Sequence, residues 1–101
     1  MLVSMNEVLK DACEHGYAIG AFNAYNIEAL QAIIEAAEET GKGVIINYAE
    51  VHAPLIPLKE IAPIMVHYAK NASVPVCLNL DHGKTVESCM EAMRLGFTSV
   101  M

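Results

Sequence analysis

Asp81-His82-Gly83 is the run of residues best equipped for chemistry in this chain. An imidazole can coordinate a divalent metal through one ring nitrogen while an outer acceptor fixes the other. A carboxylate beside it can take or give a proton close to a metal-bound substrate. Gly83 would let backbone approach a ligand closely. On the dipeptide alone, a helix-capping aspartate followed by a solvated histidine is the more frequent arrangement, because such pairs are common by chance. Two further polar groups lie upstream: Asn23 with Asn26, and Glu50 with His52. Asn23 suits substrate binding and a turn bonded to its own backbone equally well. Asn26 is better placed as a helix cap than as a ligand contact. Glu50 and His52 read as solvated loop residues in preference to metal-site groups or residues supporting such groups from behind, and His15 and His67 as surface positions in or near helices.

What gives these residues weight is their place among the elements. Ser4-Met5-Asn6-Glu7 is a capping box, in which Ser4 and Glu7 satisfy free amides at a helix start. Met5, Val8, Leu9, Ala12 and Cys13 follow at helical spacing, and Gly16 sits where a C-terminal cap belongs. Tyr17 to Asn23 reads as a short buried strand. Asn26 caps the next helix, with Ile27, Leu30, Ile33, Ile34 and Ala37 as its apolar stripe, ending before Gly41. Val44, Ile45 and Ile46 form a second strand. Ile61, Met65, Val66 and Ala69 suggest a helix, with Pro63 tolerated only in its first turn. Val74 to Leu80 is a third strand. Thr85 caps a helix with Val86, Cys89, Met90 and Met93 turned inward and Gly96 as its stop, and Phe97 to Met101 begins a fourth strand.

Strands apolar on both faces and separated by helices imply an α/β fold with a parallel sheet covered by helices. Each strand ends in the polar residues named above. In parallel α/β proteins the carboxyl ends of the strands line the active site, so the pattern points to one functional face.

Composition narrows the field further. The 101 residues are 54% hydrophobic and 18% charged, which is too apolar for disorder. A net charge of −6 with only six scattered basic residues argues against nucleic acid. It does not argue against a phosphorylated small substrate, which a helix N-terminus and one basic residue can hold. No apolar run approaches the ~20 residues that span a bilayer. The N-terminal residues lack a secretory pattern, so a cytoplasmic protein is expected. Cys13, Cys77 and Cys89 have no CxxC spacing, and Cys77 reads as a small core residue.

The segment Val74-Pro75-Val76-Cys77-Leu78-Asn79-Leu80-Asp81-His82-Gly83, followed by Gly96-Phe97-Thr98-Ser99-Val100-Met101, resembles the class II fructose/tagatose-bisphosphate aldolases. Gly20-Ala21-Phe22-Asn23 with Asn26 and Glu28 resembles the same family. Three motifs occur in the family's order at compatible spacing, and the likeness runs from Met1 to Met101, about the first third of a typical member. The resemblance implies the N-terminal portion of a (β/α)8 TIM barrel with an extra N-terminal helix, here Ser4 to His15. Residues 1–101 would be a single partial barrel domain of about three and a half strand-helix units. It further implies that His82 is a zinc ligand, Asp81 the catalytic acid/base and Asn23 a substrate-binding residue. The cofactor expected is Zn2+, with a monovalent cation. The other zinc histidines, the glycine-rich phosphate loops and the potassium or sodium site would lie further along the family's chain.

The activity so implied is zinc-dependent reversible cleavage of a ketose 1,6-bisphosphate, fructose or tagatose, to glycerone phosphate and glyceraldehyde 3-phosphate. The partners expected are the sugar bisphosphate and further copies of the chain in a homo-oligomer, with no nucleic acid and no membrane. Two departures from the family pattern stand out. Asn79 replaces a common histidine two residues before the aspartate, and Asn47 and Ala49 replace a glutamine and a serine on the second strand. A rival of another class is a non-catalytic, truncated aldolase-like chain acting in binding or assembly. It rests on the single zinc ligand, His82, where catalytic zinc has three protein ligands. Another metal-dependent barrel enzyme, such as an epimerase, fits the Asp-His-Gly context less well.

Overall fold

A computed structural model describes all residues from Met1 to Met101. Helix α1 (Met5–His15) leads into strand β1 (Ala21–Asn23), α2 (Ile27–Thr40), β2 (Val44–Ala49), a 3-10 turn (Glu50–His52), α3 (Leu58–Asn71), β3 (Val76–Asp81), α4 (Val86–Arg94) and β4 (Ser99–Val100). The four strands are all parallel and lie in sequence order, β1-β2-β3-β4. A doubly wound sheet reverses its strand order and carries helices on both faces, whereas a barrel does neither.

Local chemistry sets the helix ends. Ser4 accepts the Glu7 N–H at 3.3 Å while Glu7 accepts the Ser4 N–H at 2.9 Å, completing the expected capping box. Asn26 accepts from Ala29 N–H at 2.8 Å and Thr85 from Ser88 N–H at 3.1 Å, as capping residues of α2 and α4. Gly16 and Gly41 close α1 and α2 in the left-handed conformation.

Alternation along the strands divides the sheet into two faces. Val44, Ile46 and Tyr48 of β2 and Val76, Leu78 and Leu80 of β3 face the helices and pack with Leu30, Ile34, Ile61, Met65, Ala69 and Ala92 in one core. Each large side chain buried there is worth about 1.5–3 kcal/mol, more than any single hydrogen bond in the sheet. The opposite face carries Ile45 and Cys77 at its lower end, where α1 covers them with Val8. The segment before α1 is stitched to the same place: Val76 N–H donates to Met1 O at 2.8 Å and Val3 N–H to Val76 O at 2.9 Å. Toward the carboxyl ends of the strands this face is not covered by α1.

Three expectations from the sequence give way to packing. The first strand is not buried; all three of its residues are exposed and Phe22 is 53% exposed, because β1 is an edge with a neighbour on one side only. Pro63 lies six residues into α3, beyond the first turn. It sits on the solvent side, where the Lys59 carbonyl it leaves unbonded can turn to water, while Ile61, Ala62 and Met65 anchor the inner side. On α4 the residues turned into the core are Ala92 and, in part, Cys89; Val86, Met90 and Met93 are exposed at 71%, 46% and 62%.

Exposed apolar faces therefore flank the sheet on both sides, around Phe22 at β1 and around Val86, Met90 and Met93 at α4. Unpaired strand edges beside such faces recruit other chains. Residues 1–101 expressed by themselves are expected to self-associate in sedimentation velocity; a monodisperse, cooperatively melting monomer would contradict this. Cysteine labelling gives a second check. Burial pushes the Cys77 thiol up from its ordinary pKa, with the Thr98 hydroxyl opposing the shift, whereas Cys13 is exposed. Since the thiolate is the reactive form, a disulfide reagent should label Cys13 readily and Cys77 only after unfolding.

Candidate active site at the carboxyl ends of the strands

The register of the sheet builds the site in layers. Asn23 pairs with Asn47, Asn47 with Asn79, and Asn79 with Ser99, so four polar residues from four strands lie side by side. One layer higher, Ala49 stands opposite Asp81. Ile45 and Cys77, one layer below, rest on α1. A polar tier thus sits between an apolar floor and the carboxylate of Asp81.

Within that tier the Asn79 amide donates to Asn47 Oδ1 at 3.0 Å. Asn79 is the one polar residue among the buried positions, at 8% exposure, and no buried side-chain nitrogen or oxygen lacks a partner. An unpaired amide in this place would cost about 1–3 kcal/mol. The residues at 47 and 79, each a departure from the family pattern when taken alone, therefore satisfy one another. Ala49 presents only a methyl group across from Asp81, so the strand beside the carboxylate offers it no hydroxyl.

Asp81 ends β3 with its side chain 23% exposed, and His82 follows with its side chain 78% exposed. His82 Nε2 lies 3.8 Å from Asp81 Oδ1, too far for a hydrogen bond but within ion-pair range when the imidazole is protonated. His82 is also the only non-glycine residue with positive φ, at 54°. Left-handed backbone costs an L-residue about 1–2 kcal/mol, and such strain gathers at functional sites. Gly83 also meets a demand of packing inside the chain. A Cβ there would come within 2.8 Å of Cys89 Sγ and 3.1 Å of the Met101 carbonyl, so its lack of a side chain serves packing within the chain.

The other polar residues sort clearly. Asn23 is the last residue of β1, extended and paired in the ladder, and its exposed side chain belongs to the strand-end face and not to a turn. Asn26 is the cap of α2. His15 and His67 are exposed, as expected. Glu50 and His52 are only half exposed: His52 packs against the Tyr25 ring with centroids 4.1 Å apart, and Glu50 is hydrogen-bonded to the loop after β3. That role for Glu50 has one trace in the sequence, its position directly after β2, next to the register partner of Asp81.

The donor set gives a direct test of the implied zinc. Nowhere in the chain do three or more His, Cys, Asp or Glu side chains converge as a metal-binding group. His82, exposed at the open end of the sheet, fits one ligand of a catalytic centre, and the chain holds no complete centre. No helix is long and apolar enough to cross a membrane.

Parallel strands in sequence order, α2, α3 and α4 on one face, α1 closing the lower end of the other, and polar residues at the strand ends define a segment of a (β/α) barrel. Comparison with known proteins agrees. Residues 3–101 match the family described as fructose-bisphosphate aldolase class-II, and the chain belongs to that family. A fructose-bisphosphate aldolase of Staphylococcus aureus is 43% identical over 105 residues, covering 99% of this chain and 36% of the relative. That of Thermus caldophilus is 46% identical over 101 residues, covering all of this chain and 33% of the relative. The crystal structure of the YdjI aldolase from Escherichia coli superposes with a TM-score of 0.95 at 35% identity, over all of this chain and 40% of that one. The chain thus spans about a third of the length of the curated relatives it matches, and its fold is the N-terminal portion of their barrel.

The amide pair yields a measurable consequence. In the full-length protein, Asn47→Ala should destabilise by about 1–3 kcal/mol in urea unfolding, because it strands the buried Asn79 donor. Asn47→Ala/Asn79→Ala should cost less than the sum of the two single changes, the signature of a direct interaction.

Proposed function

We propose that this chain is the part of a class II aldolase that supplies the proton-transfer carboxylate Asp81, the metal ligand His82 and the substrate-binding Asn23. The reaction is reversible aldol cleavage of a ketose 1,6-bisphosphate, fructose or tagatose, to glycerone phosphate and glyceraldehyde 3-phosphate. The observation that carries this reading is the placement of Asp81 and His82 together at the open carboxyl end of β3, in a chain matched to the family over residues 3–101.

Zinc, when bound at a centre completed by residues outside this chain, supplies Lewis-acid polarisation of the ketone. The residues here do the rest of the work on this side of the barrel. Asp81 Oδ takes the proton of the C4 hydroxyl as the C3–C4 bond breaks and C4 becomes the aldehyde carbon. The bond's electron pair passes to the ketone half as an enediolate that is then protonated at C3. Asp81 returns its proton when the bond is made in the reverse direction. Its position, two residues above buried Asn79 and opposite the methyl of Ala49, leaves the carboxylate facing the open end of the sheet. His82 holds the metal next to that carboxylate. Asn23, four strands' ends being brought to one rim, reaches the same space from β1 and donates or accepts a hydrogen bond on the sugar.

Two substitutions in the full-length enzyme separate these roles. Asp81→Ala should retain zinc and lose ~100- to 10,000-fold in kcat with little change in KM, the loss expected for a positioned acid/base. His82→Ala should lose both zinc and activity, since two remaining protein ligands hold metal poorly. Zinc content and turnover measured on the same samples decide the matter. A zinc-free Asp81→Ala protein, or a His82→Ala protein with full zinc and activity, would reverse the assignment.

A further inference from the structure

The loop between β3 and α4 is gripped from both sides. Glu50, the first residue after β2, uses both carboxylate oxygens on it: Oε2 accepts the Lys84 N–H at 2.5 Å and Oε1 accepts the Ser88 hydroxyl at 2.7 Å. Ser88 also lies 2.9 Å from the Thr85 hydroxyl that caps α4, so the grip extends to the helix start. From the other side, the Gly83 N–H donates to the Met101 carbonyl at 2.8 Å, just beyond β4. No lysine, arginine or histidine pairs with Glu50, so an ion pair does not account for its position.

His82 stands immediately before these two anchored amides, in its left-handed conformation. A residue stays in that sparsely populated region only when its surroundings over-determine it. The amides of the next two residues are the natural means, because fixing Gly83 and Lys84 leaves the chain one route back from Asp81. The Met101 contact fixes the first, and Glu50 the second. A charged acceptor makes the stronger kind of hydrogen bond to a backbone N–H, which suits a contact that must hold a strained neighbour.

We infer that Glu50 is a positioning residue: its carboxylate clamps the β3–α4 loop and so holds the His82 imidazole beside Asp81. The consequence for metal binding rests on the aldolase reading above, whereas the clamp itself does not. With its oxygens engaged by the loop, Glu50 acts through His82 and not on substrate.

The test uses the full-length protein with Glu50→Ala, Glu50→Gln and His82→Ala. Three quantities are measured: amide exchange of residues 82–88 in metal-free protein, zinc affinity by chelator competition, and kcat and KM at limiting and saturating zinc. Glu50→Ala should speed exchange in residues 82–88 by about 10-fold or more while β2 and β3 stay protected. It should weaken zinc by about 10- to 100-fold, the range for outer residues that orient a metal ligand. The fall in kcat should largely recover at saturating zinc, with KM little changed. Glu50→Gln keeps one acceptor oxygen and should fall between parent and alanine; it carries the test if the alanine variant does not fold. Unaltered loop exchange in both variants overturns the clamp, as does protection lost evenly across the whole sheet. Zinc affinity unchanged in His82→Ala sinks the metal-ligand reading, and the clamp then stands or falls on exchange alone. If His82→Ala loses zinc and Glu50→Ala does not, the inference fails while the aldolase reading stands.

Discussion

The register between β2 and β3 governs everything built on it. Side chains alternate along a strand, so a slip of one residue would send Asp81 into the helix layer and turn Leu80 toward the open face. What prevents the slip is the difference between the faces. Ile46, Tyr48, Leu78 and Leu80 are at most 1% exposed against the helices, while Asn47, Asn79 and Asp81 line the other side. Exchanging the two sets would forfeit several buried side chains, each worth about 1.5–3 kcal/mol, and would put an amide pair and a carboxylate in a dry core. The position of the candidate acid/base is thus a by-product of packing on the far side of the sheet.

The asparagine pair shows how such a layer tolerates change. Two short amides can fill a polar tier, provided that each finds a partner. Here Asn47 and Asn79 lie at one level and meet directly. Their satisfaction is internal to the tier, which leaves Asn23, at the edge of the same layer, free of it. Ala49 is the opposite case: nothing nearby replaces a lost hydroxyl, and the wall beside Asp81 is simply apolar.

Legibility in the sequence followed the range of the interactions. Helix starts at Ser4, Asn26 and Thr85 could be read because a cap is a contract between residues three apart. The parallel sheet and its single polar rim could be read from uninterrupted apolar runs that end in Asn, Glu, Asp and His. The exposure of β1 could not, because it depends on what lies beside the strand and not on what lies in it. Nor could the turning of α4, where Val86, Met90 and Met93 form a plausible stripe but Ala92 meets the core. Small residues allow close approach of helix to sheet, and a periodicity count gives them little weight. The role of Glu50 left only its place after β2 as a trace, for a related reason: its partners are a backbone amide and a hydroxyl more than thirty positions away.

The stitching of residues 1–3 to β3 bears on the order in which the chain can fold. Its contacts join residues separated by 71 and 73 positions, at Ala72 and Val74, and the ladder continues at Val76. During synthesis this segment and the apolar side of α1 must wait in solvent until β3 has been made and aligned with β2. Long-range closures of this kind are slow, because the entropy of the intervening loop is lost before the contact repays it. The floor of the site is therefore laid only once β3 exists, by a segment made well before it, and Val8 and Leu9 are the surfaces a chaperone would find unattended in the interval.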